Sequence, residues 1–252
     1  LVGSEMCIRD RYISYEPASE VLVFDVVLNR AMVESAYPVS SEVSESLVVD
    51  ASSSNLQVGL ATAEGWNRIE TSAKQAMEGL YHAIGRILSN SECKMDGISV
   101  VHYCEGPGST LGLRIAAACV RTMAWNASSR DFRLFKYNAL DLAPRMVEEK
   151  VSFLQAPYRM GTRIVRIEGS NPIGRKQLFN AEQALKKFPN SHHLPDPRNH
   201  FPLPDNAVLI KYDLARVSGL SDLNPISQPC SSPLPFAPQA TAFRKWNPHQ
   251  SQ

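Results

Sequence analysis

The stretch that decides the fold is Glu105-Gly106-Pro107-Gly108-Ser109-Thr110-Leu111-Gly112-Leu113-Arg114-Ile115. It follows a continuous apolar run, residues 98–104, whose length and β-branched content are typical of a buried strand. The small-residue run 116–120 comes directly after it, and apolar residues continue there at helical spacing. The chain therefore passes from a strand through a glycine turn into a helix.

Two interpretations of the glycine turn follow from its residue types. Gly106 and Gly108 allow positive φ, and Pro107 fixes the turn between them. Ser109 or Thr110 can cap the helix, and outward-facing amides at such a helix N-terminus can bind phosphate or carboxylate. In the second interpretation, the glycines bind no ligand and only allow the chain to turn sharply from the strand into the helix. The absence of the lysine that ends longer phosphate loops favours this alternative.

Length and composition predict an ordinary globular protein without a membrane span. The 252 residues are enough for one large domain or two modest ones, and 44% of them are hydrophobic and 20% charged. No apolar run approaches the roughly 20 residues that a membrane helix needs. Residues 151–252 hold 12 Lys and Arg against 6 Asp and Glu. This basic part can face RNA or an acidic partner, although a solvated basic surface is the simpler interpretation.

Cysteine and histidine usage predicts neither a cofactor nor a metal. The five cysteines form no close pair and no metal-binding spacing, which is typical of a protein in a reducing cytoplasm. His192, His193 and His200 lie in a proline-rich stretch that offers no scaffold for a metal site, and His82 has no second ligand at the required spacing. We therefore expect a cytoplasmic protein with no bound cofactor.

The first 46 residues are expected to be a non-native or disordered extension. Residues 1–12 resemble the translated sequencing adapter that recurs at the ends of metagenomic gene predictions. The following stretch contains one strand-like run, residues 21–28, and Met32 is a plausible start. The ordered domain is predicted to begin at residue 47.

Residues 47–150 are predicted to alternate strands and helices after an initial antiparallel meander. Thr71 or Ser72 is the predicted cap of the first helix. The order βββαβαβα predicts an α/β protein whose mixed sheet is covered by helices. The predicted bounds are 46–51, 56–61 and 66–70 for the meander, 73–88, 111–124 and 139–149 for the helices, and 132–137 for the strand before the last helix.

Residues 151–252 are predicted to form a smaller, irregular α/β part. Strand signals lie at residues 151–155, 163–168 and 207–212, and a short helix is predicted at 180–188. Eleven of the 17 prolines fall between residues 189 and 248. Loops and a draped tail are therefore expected in place of long elements.

The motif and the element order together resemble the TsaB branch of the Gcp-like family, in the actin/Hsp70/sugar-kinase superfamily. The family motif Gly-Pro-Gly-Ser-Phe-Thr-Gly-Leu-Arg-Ile-Gly is similar to residues 106–116, with Thr110 in place of the phenylalanine. The family's opening Leu-Asp-Thr-Ser resembles Val49-Asp50-Ala51-Ser52, and its Val-Ala-Leu strand resembles residues 58–60. The resemblance implies an actin-like ATPase (RNase H-like) fold and is good from residue 47 to about 143.

The chain departs from the family pattern in several places and is identified as a divergent member. Ala76 stands where family members often carry a histidine. The Asp-Ala-Arg element that opens the second half of the family is hardly recognisable at residues 156–159, and a faint likeness returns only at 235–246.

Members similar to this chain are non-catalytic. They pair with the catalytic paralogue TsaD and, with the ATPase TsaE, support threonylcarbamoyl transfer onto adenosine 37 of tRNA. This chain contains no Asp-x-Gly and no Gly-Gly, the close-approach glycines that an ATP-using member needs. The resemblance thus implies a scaffold that meets tRNA only indirectly or weakly, and it leaves open a homodimer when TsaD is absent.

The resemblance further implies that the first two helices form the surface that packs on TsaD. Packing on the chain's own sheet also explains their apolar stripes, and an excess of exposed apolar area would favour an interface. Two other functions are alternatives. The first is an ATP-binding Gcp-like transferase or kinase, and its weak candidates for cofactor binding are Asp50, Ser52, Gly108 and Ser109. The second is a diverged remnant without a partner. The residues predicted for partner binding or for the structural motif are Gly106, Pro107, Gly108, Ser109, Gly112, Leu113, Arg114, Leu80 and Ile84.

Overall fold

A computed structural model describes residues 45–74, 76–91, 94–127, 131–196 and 202–238. All of these residues lie within one compact unit, residues 43–252. The predicted extension 1–46 lies outside the described residues except for its last two, and the tail from residue 239 onward lies outside them as well. None of the helices in the described part of the chain has the length and apolar content needed to span a bilayer.

The first half of the chain forms a six-stranded mixed sheet. Its strands are β1 (Ser46–Asp50), β2 (Leu56–Ala61), β3 (Trp66–Ser72), β4 (Val100–Gly106), β5 (Arg133–Asn138) and, from late in the chain, β11 (Gln228–Pro229). β1, β2 and β3 form the predicted antiparallel meander, while β4 lies parallel to β1 and β5 parallel to β4. The short β11 pairs antiparallel with β5, so the strand order is β11-β5-β4-β1-β2-β3.

Two helices, α1 (Ala76–Ser89) and α2 (Thr110–Asn126), cover one face of this sheet. Their inward residues, including Leu80 of α1 and Val120 of α2, share an apolar cluster with residues of β1, β2 and β4. In each helix these residues recur at intervals of three or four, which places them on one side. The outward sides of both helices therefore remain available to solvent or to a partner.

Two helix boundaries differ from the prediction. Thr71 and Ser72, the predicted caps of α1, are the last residues of β3, because the pairing of β3 with β2 continues through them. The third helix, α3, spans only Ala139–Leu142 and continues as a 3₁₀ turn, Ala143–Met146, instead of reaching residue 149. Pro144 has no N–H for the carbonyl four residues earlier, so the α-helical pattern cannot continue.

The second half of the chain forms a five-stranded sheet. Its elements are β6 (Phe153–Pro157), β7 (Thr162–Ile167), β8 (Arg175–Asn180), β9 (His192–His193) and β10 (Val208–Leu209), with the helix α4 (Ala181–Lys187) after β8. The strand order is β10-β9-β6-β7-β8. β6, β7 and β8 form an antiparallel meander, whereas β9 and β10 add to it in parallel.

This half is more regular than the sequence predicts. The prediction has no strand at β8, and it places His192 and His193 in a loop. Both segments are strands because their backbones pair with other strands: β8 pairs with β7, which precedes it in a hairpin, and β9 pairs with β6, 38 positions earlier. The predicted strand 207–212 is reduced to the two residues of β10.

A shared apolar core joins the two sheets. Val48 of β1 and Leu140 of α3 pack in one cluster with Leu154 of β6 and Ile164 of β7. β1 and β2 are buried along their whole length because the helices cover one face of the sheet and the second half covers the other. The division predicted at residue 150 stays a prediction, since this core continues across it.

Two histidines are buried in this architecture as neutral groups. His102 of β4 is stacked on Phe135, and its Nδ1 lies 2.9 Å from the Ser227 hydroxyl. Burial, followed by the positive charge of Arg133, lowers the pKa of His102 from 6.5 to about 3. Burial, followed by the charge of Arg163, lowers the pKa of His193 to about 4. Both imidazoles therefore stay neutral in the folded chain at pH values where they would be protonated in the unfolded chain.

We expect the free energy of unfolding to fall as the pH drops from about 6.5 towards 4. The unfolded chain binds protons with an ordinary histidine pKa in this range while the folded chain does not, so each histidine costs about 1.4 kcal/mol per pH unit. Urea unfolding at several pH values measures the slope, and His102→Gln should reduce it. His82→Gln, at an exposed position of α1, is the matched control and should leave it unchanged. An equal slope in His102→Gln and the unaltered chain would contradict this account.

Candidate functional site: the glycine turn and the cleft

The glycine turn between β4 and α2 has the geometry that its sequence predicts. Gly106 and Gly108 have φ angles of 112° and 159°. Ser109 caps α2, since its hydroxyl accepts a hydrogen bond from the Gly112 N–H at 3.2 Å. The backbone N–H of Ser109 donates to the carbonyl of Ser52 at 2.8 Å. The turn is thus attached to the loop between β1 and β2.

The glycines of the turn are required because backbone segments approach closely here. A Cβ atom on Gly108 would lie 2.0 Å from the Ser52 carbonyl oxygen, and one on Gly112 would lie 2.3 Å from the carbonyl oxygen of Ala51. Real Cβ atoms essentially never come within 3.0 Å of backbone atoms. Only glycine therefore allows α2 to begin directly against the β1–β2 loop.

The remaining motif residues occupy different environments. Leu113 is buried beside the turn, and a Cβ on Gly106 would lie 2.6 Å from its Cδ1 atom. Arg114 is exposed on α2. Leu80 is fully buried in the core, whereas Ile84 is buried but lines a groove between α1 and α2. Their part in partner binding stays a prediction.

Asp50, at the end of β1, is fully buried, and four donor groups of the described residues bond to its carboxylate. Its Oδ1 atom accepts from the Ser52 N–H at 2.9 Å and from the Ser52 hydroxyl at 2.6 Å. Its Oδ2 atom accepts from the hydroxyls of Tyr137 at 2.8 Å and Tyr212 at 2.7 Å. Burial, together with the negative charge of Asp50, raises the pKa of both tyrosines well above 10. The tyrosines therefore remain protonated donors.

A cleft of about 910 Å³ opens beside the turn. Its walls come from residues 51–57 of the β1–β2 loop and the start of β2, residues 107–110 and Gly112 of the turn and α2, the β6–β7 hairpin, and residues 211–213. Four cationic residues and two anionic residues line it: Lys74, Arg159, Arg163, Lys211, Asp196 and Asp213. The cleft thus has the size and the cationic excess of a site for an anionic ligand.

The sequence does not predict the apolar residues on the outer sides of α1 and α2. Met77, Tyr81, Leu111 and Trp125 are between 58% and 70% exposed, and we call these four residues the outer face. Leu111 and Trp125 are 14 positions apart, which places them along one side of α2. Tyr81 borders a groove of about 280 Å³ between the helices, together with Cys119, Met123 and Phe132. Four large apolar side chains are therefore exposed on the two helices.

The two sheets, their helices and the intervening cleft define an α/β protein with an actin-like ATPase fold. Residues 69–132, about a quarter of the chain, match the TsaD family model, described as tRNA N6-adenosine threonylcarbamoyltransferase. This segment contains α1, the glycine turn and α2. This match lies within the part of the chain, residues 47–143, that resembles the Gcp-like family in sequence.

Solved structures confirm the fold of the chain. YeaZ from Pseudomonas aeruginosa superposes with a TM-score of 0.57 at 14% identity, over 77% of this chain and 99% of YeaZ. An uncharacterised protein with similarity to peptidase YeaZ, also from Pseudomonas aeruginosa, gives a TM-score of 0.56 at 15% identity, over 78% and 100% of the two chains. Comparison with curated protein sequences finds no match. The chain therefore has a YeaZ-like fold.

Nucleotide with a divalent cation is the ligand that this fold class implies, but two groups of this chain that could contact it are already bonded within the chain. The Ser109 N–H of the turn donates to the Ser52 carbonyl and is therefore not open to a phosphate. The acceptor positions of Asp50, the weak cofactor candidate, are filled by hydroxyl and amide donors. Among the described residues, no group of three or more His, Cys, Asp or Glu is placed to hold a metal ion.

We expect Gly108→Ala to lower the free energy of unfolding by about 2–4 kcal/mol. The added methyl group would meet the Ser52 carbonyl, and alanine disfavours the positive φ of this position. Gly85→Ala is the matched control: it lies in α1, nothing is within 4 Å of its added Cβ, and it should stabilise by about 0.5–1 kcal/mol. Chemical denaturation measures both, and equal stability of the two variants would refute the close-approach argument.

Proposed function

We propose that this chain is a cytoplasmic, non-catalytic TsaB-like scaffold. It pairs with a TsaD-like catalytic paralogue for threonylcarbamoyl transfer onto adenosine 37 of tRNA, with the ATPase TsaE as a further component and tRNA contacted only indirectly. The observation that carries this proposal is the outer face, because it lies on the two helices of the segment that matches the TsaD family model.

The outer face has the composition of a protein interface. It presents a tyrosine, a tryptophan, a methionine and a leucine on adjacent helices, and aromatic residues and methionine are enriched at interfaces. Large exposed apolar side chains clustered on one surface are uncommon in monomeric proteins unless the surface binds a partner. The groove beside Tyr81 offers a pocket for an apolar side chain of that partner.

The buried side of the same helices explains why this face can be rigid. Leu80 and Ile87 are fully buried under α1, and Ala116 and Val120 are fully buried under α2. Small residues on α2 let it approach the sheet closely, while the glycine turn fixes where it begins. A preorganised helix pair binds a partner without the entropic cost of ordering a loop.

A non-catalytic role is supported by the state of the residues that a nucleotide would need. Both carboxylate oxygens of Asp50 accept hydrogen bonds from Ser52, Tyr137 and Tyr212, and the Ser109 amide donates to the Ser52 carbonyl. The sequence also contains no Asp-x-Gly turn and no Gly-Gly pair. These features agree with a subunit that supports a catalytic partner.

One observation favours the alternative, an ATP-binding Gcp-like transferase or kinase. The cleft is about 910 Å³, large enough for a nucleotide, and four cationic residues line it. Calorimetric titration with Mg-ATP separates the two functions. We expect no binding heat at millimolar ligand, and saturable binding would favour the enzyme.

We expect Tyr81→Glu to weaken binding to the TsaD-like protein encoded in the same genome by 10-fold or more. The added charge would be buried without a partner in the centre of the interface, and a tenfold loss corresponds to about 1.4 kcal/mol. Biolayer interferometry with the immobilised partner measures the affinity. Met160→Glu, at an 83% exposed position on the β6–β7 hairpin, is the matched control and should bind normally.

Two results would overturn the proposed function. The first is the absence of any association between the unaltered chain and the TsaD-like protein at micromolar concentration. The second is equal affinity of Tyr81→Glu and the unaltered chain, which would place the interface elsewhere. Loss of the modified nucleoside on gene deletion would exclude the third alternative, a diverged remnant without a partner.

A further inference from the structure

The donors that surround Asp50 come from three separate parts of the fold. Ser52 belongs to the loop after β1, Tyr137 to β5, and Tyr212 to the segment that follows β10. Ser52 and Tyr212 line the cleft, whereas Asp50 and Tyr137 are buried behind them. One carboxylate thus connects the first sheet to a segment of the second half at the cleft wall.

We propose that Asp50, Tyr137 and Tyr212 form an internal lock that takes the place of a bound cation at this carboxylate. The lock holds the two sheets together through the chain's own hydroxyl groups. Its consequence is that the geometry of the cleft is fixed by the chain and does not respond to a nucleotide or a divalent cation. This inference concerns the cleft, so it does not depend on the partner proposed for the outer face.

The stoichiometry of the hydrogen bonds supports the lock. An ionised carboxylate offers about four acceptor positions, and four hydrogen bonds from the described residues reach Asp50, two on each oxygen. A cation that approached from the cleft would have to displace the Tyr212 or Ser52 hydroxyl first. Because a buried carboxylate without partners is strongly unfavourable, the chain keeps its own donors there.

The segment that carries Tyr212 is attached to both sheets. At its start, β10 pairs with β9, and the Ile210 N–H donates to the His193 carbonyl at 2.9 Å, both in the second sheet. At its end, the Leu214 N–H donates to the Gln57 side chain of β2 at 2.8 Å. Tyr212 lies between these two attachments. Its bond to Asp50 is therefore placed to limit movement of one sheet relative to the other.

A double-mutant cycle tests the lock on the full chain. We expect Tyr212→Phe and Asp50→Asn each to lower the thermal unfolding midpoint by roughly 3–12 °C, since each removes hydrogen bonds to a charged, buried group. The effect of Tyr212→Phe should be much smaller when Asp50→Asn is already present, because the two groups act through one bond. Tyr158→Phe, at a half-buried tyrosine that also lines the cleft, is the matched control and should leave the midpoint unchanged.

A second measurement needs no variant. The thermal midpoint of the unaltered chain should be the same with EDTA, with 10 mM Mg²⁺ and with Mg-ATP, because donors from the described residues already occupy both oxygens of Asp50. If Asp50→Asn does not fold, Tyr137→Phe with Tyr212→Phe replaces it in the cycle. A midpoint that rises with Mg²⁺ or Mg-ATP, or additive effects in the cycle, would overturn the lock. Partner binding is measured separately, so failure here leaves the proposed function standing.

Discussion

The contact between the glycine turn and the loop after β1 is the constraint on which the rest of the structure depends. The Ser109 N–H bonds to the Ser52 carbonyl at 2.8 Å, and neither Gly108 nor Gly112 has room for a Cβ atom. This contact fixes the point at which α2 leaves the sheet. The position of α2 then determines how α1 packs beside it, and the pair of helices presents the outer face. The requirement for glycine at the turn therefore helps to determine where the proposed partner surface lies.

The same contact also affects which groups are open to a ligand in the cleft. A helix N-terminus with glycines before it is a favourable place for a phosphate, because its amides are unpaired and its dipole is positive. In this chain the amide of Ser109 is paired, and the carboxylate of Asp50 next to it is surrounded by tyrosine and serine donors. Both groups that would serve a nucleotide instead stabilise the fold. The chain therefore combines the strand–turn–helix geometry of a phosphate site with hydrogen bonds that stabilise its own fold.

Much of the first half could be predicted from sequence because its signals are local. The apolar run before Gly106, the positive φ of the glycines and the serine cap all act within a few residues. Other features depend on distant residues: β9 is a strand because it pairs with β6, 38 positions earlier, and Tyr212 meets Asp50 across 162 positions. Helical periodicity also identifies apolar residues without showing which are covered: Leu80, a candidate for partner binding or for the structural motif, is fully buried, whereas the neighbouring Tyr81 is 58% exposed. The short α3 is a local effect of Pro144 that the apolar pattern obscures.

Hydrogen–deuterium exchange on the full chain tests the central claim most directly, namely that the helices serve a partner while the cleft serves the fold. The chain would be measured alone, with Mg-ATP, and with the TsaD-like protein of the same genome. We predict slower exchange in Ala76–Ser89 and Thr110–Asn126 when the protein partner is present, and no change at residues 50–55 or 106–112 with Mg-ATP. Protection of residues 50–55 and 106–112 by Mg-ATP, with the two helices unaffected by the partner, would contradict the account.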